Sequence, residues 1–163
     1  MALVLARIDD RLIHGQVVVG WVKHLEANCI VVANDAIAAD PMQRALLPMA
    51  VPPEIQVEIY KVAEAARKLA GGVEAGKRTI LLFSSPMDAL RFLKQGGALE
   101  SLNLGGLRFA PGKTQVLKSI SLGREDLEAL RQLREAGTGM SVQMVPSDPA
   151  VDVLKILPGG EHG

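Results

Sequence analysis

The sequence has a single cysteine, so no disulfide can form within the chain. Cys29 lies in the apolar run CIVVA, where a buried and inert thiol is expected. Aromatic residues are scarce: Trp21, Tyr60, Phe83, Phe92 and Phe109 are scattered along the chain. Without grouped rings there is no platform on which bases could stack. Neither sign of charge predominates, since 18 basic and 18 acidic residues give a formal net charge of zero. That removes the general attraction to nucleic acid or anionic lipid. No apolar run approaches the roughly 20 residues of a membrane span. Arg7, Asp9 and Asp10 arrive too early for the core of a signal peptide. His14, His24 and His162 have no metal-ligand spacing, and one cysteine adds little, so no metal site is expected. These absences point to a cytoplasmic protein with no cofactor and no nucleic-acid partner.

What is present is ordinary in bulk and ordered in pattern. The 163 residues, 48% hydrophobic and 22% charged, suit one domain with a sizeable core. Short apolar runs alternate with amphipathic stretches, which is the pattern of a mainly parallel α/β sheet. About seven strands are expected, at 2–8, 29–33, 55–60, 78–83, 101–106, 116–122 and 141–146. The first, second and fourth are almost wholly apolar and belong in the sheet centre, whereas IQVEIY (55–60) alternates and suits an edge. Between them, Val17, Trp21 and Leu25 give a first helix its apolar face. Asp40-Pro41 opens a helix to about Met49, and VAEAARKLA (62–70) forms another. Ser85-Pro86 starts MDALRFLKQ, REDLEALRQLREAG (124–137) is amphipathic, and PAVDVLKIL (149–157) fits a short last helix.

The stretch RIDDRLIHGQV (7–17) leaves the first strand and feeds the first helix. In open α/β sheets, ligands bind beyond the carboxyl ends of the strands. A helix N-terminus there offers unpaired N–H groups and the positive end of a dipole, both favouring an anion. Backbone from Ile13 through Gly15 and Gln16 is placed to bind phosphate, and Gly15 permits close approach. Arg11 adds a planar fork suited to phosphate oxygens, around a nucleophilic His14. Either Asp9 or Asp10 could hold Arg11 or fix the histidine tautomer, and either could merely cap the helix. Of the two, we assign Asp10 to the catalytic set with His14 and Arg11. Ser84, at the end of the fourth strand, is a further candidate for phosphate binding, whereas Ser85 is read as a helix cap. The pattern is neither a Walker A nor a GxGxxG motif, so nothing in it specifies a nucleotide.

RIDDRLIHGQV closely resembles the active-site motif of the mannose/fructose/sorbose-type enzyme IIB components of the bacterial sugar phosphotransferase system. The likeness continues through IVVANDAIAADPMQRALLPMAVPP, ILLFSSPMDALRFLKQG, LNLGGLRFAPGKTQVLKSISL and VQMVPSD. It spans residues 2 to 157, leaving a C-terminal tail (158–163). The resemblance implies an open, twisted, mainly parallel sheet with helices on both faces. It implies that His14 accepts a phosphoryl group from a phosphohistidine on an enzyme IIA partner. The group then passes to a hexose held by membrane-embedded IIC and IID subunits, with Arg11 assisting. No IIA domain or linker is recognisable in this sequence, so the donor is expected on a separate polypeptide. The chain would then associate transiently with the inner face of the membrane through the permease. A regulatory domain that reports the phosphorylation state of His14, without transport, shares the same chemistry. An exposed edge strand towards the C-terminal half could pair with a second copy.

Overall fold

In the computed structural model, residues 2–72 and 75–157 are described, apart from the side chains of Ala2, Gln16 and Val17. The tail with His162 lies outside them. The strands β1 (Ala2–Asp9), β2 (Cys29–Ala33), β3 (Gln56–Tyr60), β4 (Arg78–Phe83), β5 (Ser101–Gly106) and β8 (Gly139–Val142) form one sheet with β9 (Val151–Asp152). Their spatial order is β3-β2-β4-β1-β5-β8-β9, parallel throughout except for the last pair. The single-domain α/β reading therefore holds, with β1, β2 and β4 inside the sheet and β3 on its edge.

Side-chain alternation sorts the core into two layers. From β2 and β4, Ile30, Val32, Ile80 and Leu82 face one side, while Val31, Leu81 and Phe83 face the other. The first layer is closed by Val18 and Trp21 of α1 (Gly15–Leu25), with Ile37 of α2 (Asp35–Ala38) packed alongside. Next to α2 come α3 (Pro41–Leu46) and a 3₁₀ turn, Leu47–Ala50. The second layer is closed by α4 (Val62–Leu69), α5 (Pro86–Lys94) and α6 (Arg124–Glu135), through residues such as Ala65, Phe92 and Leu133. This is the arrangement expected when crossover connections keep one hand: leftward moves carry helices to one face and rightward moves to the other.

Three expectations are corrected. Residues 116–122 are not a sheet strand, because the polar pair Lys118-Ser119 breaks the run into an antiparallel hairpin, β6 (Thr114–Leu117) and β7 (Ile120–Leu122). That hairpin is held to the end of β5 by hydrogen bonds from Leu107 N to Ser119 O and from Ser121 N to Leu107 O. Residues 149–157 are not a helix: they form β9 and a 3₁₀ turn, Val153–Lys155, capped by the Asp152 carboxylate accepting from Leu154 N. Here Val151 and Val153 repeat at the strand period. The strand expected at 141–146 stops at Val142, because the next two carbonyls bond to a side chain. The C-terminal edge is thus only the two-residue β9, and β3 is the longer exposed edge. Among the described residues, no helix is long and apolar enough to cross a membrane.

Candidate functional site at the end of the first strand

β1 ends at Asp9, deep in the sheet centre, and the chain must reverse into α1 within five residues. It does so through a turn closed by Leu12 N donating to Asp9 O at 2.9 Å, with Leu12 and Gly15 both left-handed at φ 55° and 45°. A Cβ on Gly15 would meet no atom, so its positive φ, not space, is what calls for glycine. His14 occupies the N-cap of α1 in extended conformation, and its side chain makes no capping hydrogen bond to the helix. The first turn of α1 also carries no acid. Among the described residues, its first N–H groups and dipole therefore meet no capping side chain and no acid, as an anion site requires.

The side chains converge on Asp9, which is fully buried. Its Oδ1 accepts from the Arg11 backbone N–H at 3.1 Å and from Arg11 Nε at 3.1 Å. Its Oδ2 accepts from Arg7 Nη2 at 3.1 Å and Arg11 Nη2 at 3.3 Å, and lies 3.0 Å from His14 Nε2. Burial alone would raise the carboxyl, but hydrogen bonds from Arg11 and His14 and the charge of Arg7 outweigh it and hold Asp9 below the usual carboxylate range. An ionised carboxylate only accepts, so Nε2 is the donor in this contact, and in a neutral imidazole Nδ1 then holds the lone pair. Two guanidinium groups against one carboxylate leave the cluster net positive while His14 is neutral. The Arg11 side chain is 36% exposed and that of His14 21%, so both can be reached from outside.

The acid in this cluster is Asp9 and not Asp10. Asp10 points to the end of β5, where its Oδ2 accepts from Arg108 N at 2.8 Å and Arg108 Nε at 3.3 Å. Ile13 is buried, and its side chain anchors the loop beneath α1. Gly15 and Gln16 start the helix, though the Gln16 side chain lies outside the described residues. Ser84 stands at the same sheet edge but is engaged elsewhere: its hydroxyl accepts from Asn34 Nδ2 at 2.9 Å and faces Asp88 Oδ2 at 3.4 Å. Ser85 caps α5, accepting from Asp88 N at 3.2 Å. No hydrogen bond joins Ser84 to the histidine loop among the described residues. Cys29 is buried, and burial pushes its thiol up, away from reactivity.

Sequence reasoning passed over two features. Arg7 is buried within the sheet layer and reaches Asp9. Gly105 and Gly106 make room for both arginines: an added Cβ on Gly105 would collide with the Arg7 guanidinium, and one on Gly106 would lie 2.9 Å from Arg11 Nη2. The signal was the glycine pair ending β5, which marks close approach of another group. Beside Arg11 opens a cleft of about 740 Å³ between the β6–β7 hairpin and the segment after β8, lined by Arg108, Phe109, Lys118 and Met144 among others.

The family model for the PTS system sorbose subfamily IIB component matches residues 3–162. The sorbose-specific EIIB component of Klebsiella pneumoniae is 38% identical over 154 residues, 94% of each chain. The mannose-specific EIIAB component of Escherichia coli is 38% identical over 157 residues, which are 96% of this chain but 49% of that protein. The chain thus spans about half the length of that relative and nearly all of the sorbose one. In structure it is similar to the IIBSor domain of the sorbose permease from Klebsiella pneumoniae, with a TM-score of 0.88, 37% identity and 95% of each chain covered.

Proposed function

Because this chain belongs to the sorbose subfamily of IIB components of the sugar phosphotransferase system, we propose that it is a phosphocarrier acting through His14. The donor is a phosphohistidine on an enzyme IIA protein, and the acceptor is a sugar held by the membrane IIC and IID subunits. The carrier docks with each in turn, so its stay at the inner face of the membrane is transient. The observation that carries this reading is the pairing of His14 Nε2 with Asp9 Oδ2 at the uncapped N-terminus of α1.

The chemistry follows from that pairing. Neutral His14 attacks phosphorus through Nδ1, while Asp9 retains the Nε2 proton and so fixes the tautomer. One N–P bond forms on His14 as the N–P bond of the donor imidazole breaks, and the donor keeps that electron pair. The moving phosphoryl carries its charge on equatorial oxygens, which need donors around them. The first N–H groups of α1 and the Arg11 fork supply these, in a site already net positive. In the second step a sugar hydroxyl oxygen forms an O–P bond as the Nδ1–P bond breaks; that electron pair returns to Nδ1, the hydroxyl proton passes to solvent, and His14 is neutral again. Imidazole suits both steps, since it is nucleophilic near neutral pH and is a good leaving group once phosphorylated.

The test is incubation with phosphoenolpyruvate, the two general phosphotransferase proteins and a cognate IIA, followed by intact mass measurement. One acid-labile, alkali-stable phosphoryl group is expected on the wild type and none on His14→Ala. Full labelling of His14→Ala would overturn the assignment.

A further inference from the structure

Arg7 is the largest fully buried side chain among the described residues, at 1% exposed. A buried ion pair gains little stability over a pair of well-packed apolar side chains, so the presence of Arg7 and Asp9 calls for another explanation. The partners of Arg7 supply one. Arg7 stands opposite Asn103 on the adjacent strands β1 and β5, and a register shift after Ile8 sets Asp9 opposite Gly106, leaving Gly105 beside the Arg7 guanidinium. Nη2 donates to Asp9 Oδ2 at 3.1 Å and to Met144 O at 3.0 Å. Nη1 donates to Asn103 Oδ1 and, at 3.0 Å, to Gln143 O. The guanidinium also lies 5.5 Å from the ring centroid of Trp21, whose Nε1 donates to the same Met144 O at 2.9 Å. Gly105 leaves the room this requires.

We propose that Arg7 is a positioning residue for His14, holding Asp9 in the orientation that receives Nε2–H while pinning the Gln143–Met144 backbone that walls the neighbouring cleft. The inference rests on the reading of His14 as phosphoryl acceptor for its purpose, but not for its geometry. The two arginines on Asp9 differ in freedom. Arg11 is accessible and suited to turn towards phosphoryl oxygens, which would take its side-chain hydrogen bonds off Asp9. Arg7 is enclosed and cannot follow. It therefore keeps the carboxylate paired and aimed while Arg11 is engaged with the phosphoryl group. The same guanidinium links the carboxylate to one wall of the cleft that Arg11 borders.

The experiment uses Arg7→Met, Arg7→Lys and Gly105→Ala with ¹⁵N spectra of the His14 ring and the indole N–H resonance of Trp21, the only tryptophan. Wild type is expected to show the Nε2–H tautomer. Arg7→Met should give mixed tautomers, a shifted indole resonance and phosphorylation of His14 slowed about 100-fold, the scale of a misplaced reacting group. Arg7→Lys restores a charged donor to Asp9 but no fork, so the tautomer should return while the indole resonance stays shifted. Gly105→Ala displaces the guanidinium without changing charge and should reproduce the Arg7→Met ring spectrum, which carries the test if Arg7→Met does not fold. An unchanged tautomer in folded Arg7→Met or in Gly105→Ala with a shifted indole resonance would overturn the proposal, as would Arg7→Lys as disordered at His14 as Arg7→Met. Failure of wild type to take phosphate from IIA would instead sink the carrier reading and leave the ring spectra to judge Arg7.

Discussion

Asp9 and Asp10 are adjacent in the chain and present their carboxylates to different arginines: Asp9 to Arg7 and Arg11 beside His14, Asp10 to Arg108 past the end of β5. Asp9 is the last residue of β1, whereas Asp10 lies in the turn beyond it and meets Arg108. The separation divides their work. Asp9 belongs to the chemistry of the loop, and Asp10 to the seam between β1 and the segment leading into the hairpin.

Asp9→Asn and Asp10→Asn are therefore expected to differ sharply. An amide at position 9 removes the counter-charge of two arginines and the obligate acceptor for Nε2–H, so His14 phosphorylation should slow about 100-fold or more. Asp10→Asn should leave the rate within a few-fold, because its exposed partner Arg108 makes the pair worth about 1 kcal/mol or less. Rapid-quench measurement of phosphohistidine formation separates the two. Equal rates for both variants would remove Asp9 from its role.

Acid stability gives a second reading of Asp9. Its carboxyl is held below the ordinary range in the folded protein, so the stabilisation it brings is present above the unfolded value and is lost as pH falls through the folded one. Denaturant midpoints of wild type and Asp9→Asn should differ most near neutral pH and converge below about pH 4, the unfolded carboxylate value. A gap that stays constant into acid would contradict the pairing.

Arg11→Lys keeps the charge but not the fork. It is expected to fold and to transfer phosphate more slowly, and Arg11→Ala more slowly still, by about 100- to 1000-fold. The rate of phosphoryl transfer from IIA, followed by loss of label from the donor, checks this. Transfer at the wild-type rate in Arg11→Ala would show that the loop N–H groups suffice.

Tyr60, the only tyrosine, reports on the β3 edge. Burial first, then its 2.7 Å hydrogen bond to Glu58 Oε1 and the charge of that group, push its phenol up to about 12. A raised value means stabilisation that is complete below the ordinary value of 10.0 and is lost as pH rises through about 12. Absorbance of the tyrosinate should show that late midpoint in wild type and an earlier one in Glu58→Gln.

Much of this was legible from residues alone. The almost wholly apolar β1, β2 and β4 were expected inside the sheet and alternating β3 at its edge, and that is where they lie. The cap at Ser85 followed from serine before proline. The histidine loop was recognisable because an imidazole, an arginine and a glycine at a strand-to-helix turn share one chemistry. The hairpin at 114–122 and the short β9 were harder, because a seven-residue stretch such as 116–122 does not say whether its two-residue polar break is a turn.

By itself, then, the sequence determined the layers and singled out His14 and Arg11 as candidates, since periodicity and residue chemistry are local properties. Only the tertiary structure decided which aspartate serves the histidine, why Arg7 is buried, and why β8 ends at Val142. Those answers depend on β5 and the segment after β8 meeting β1 from about 100 and 140 residues along the chain. A guanidinium that bridges such distances leaves no periodic trace, because its partners are brought to it by packing and not by spacing.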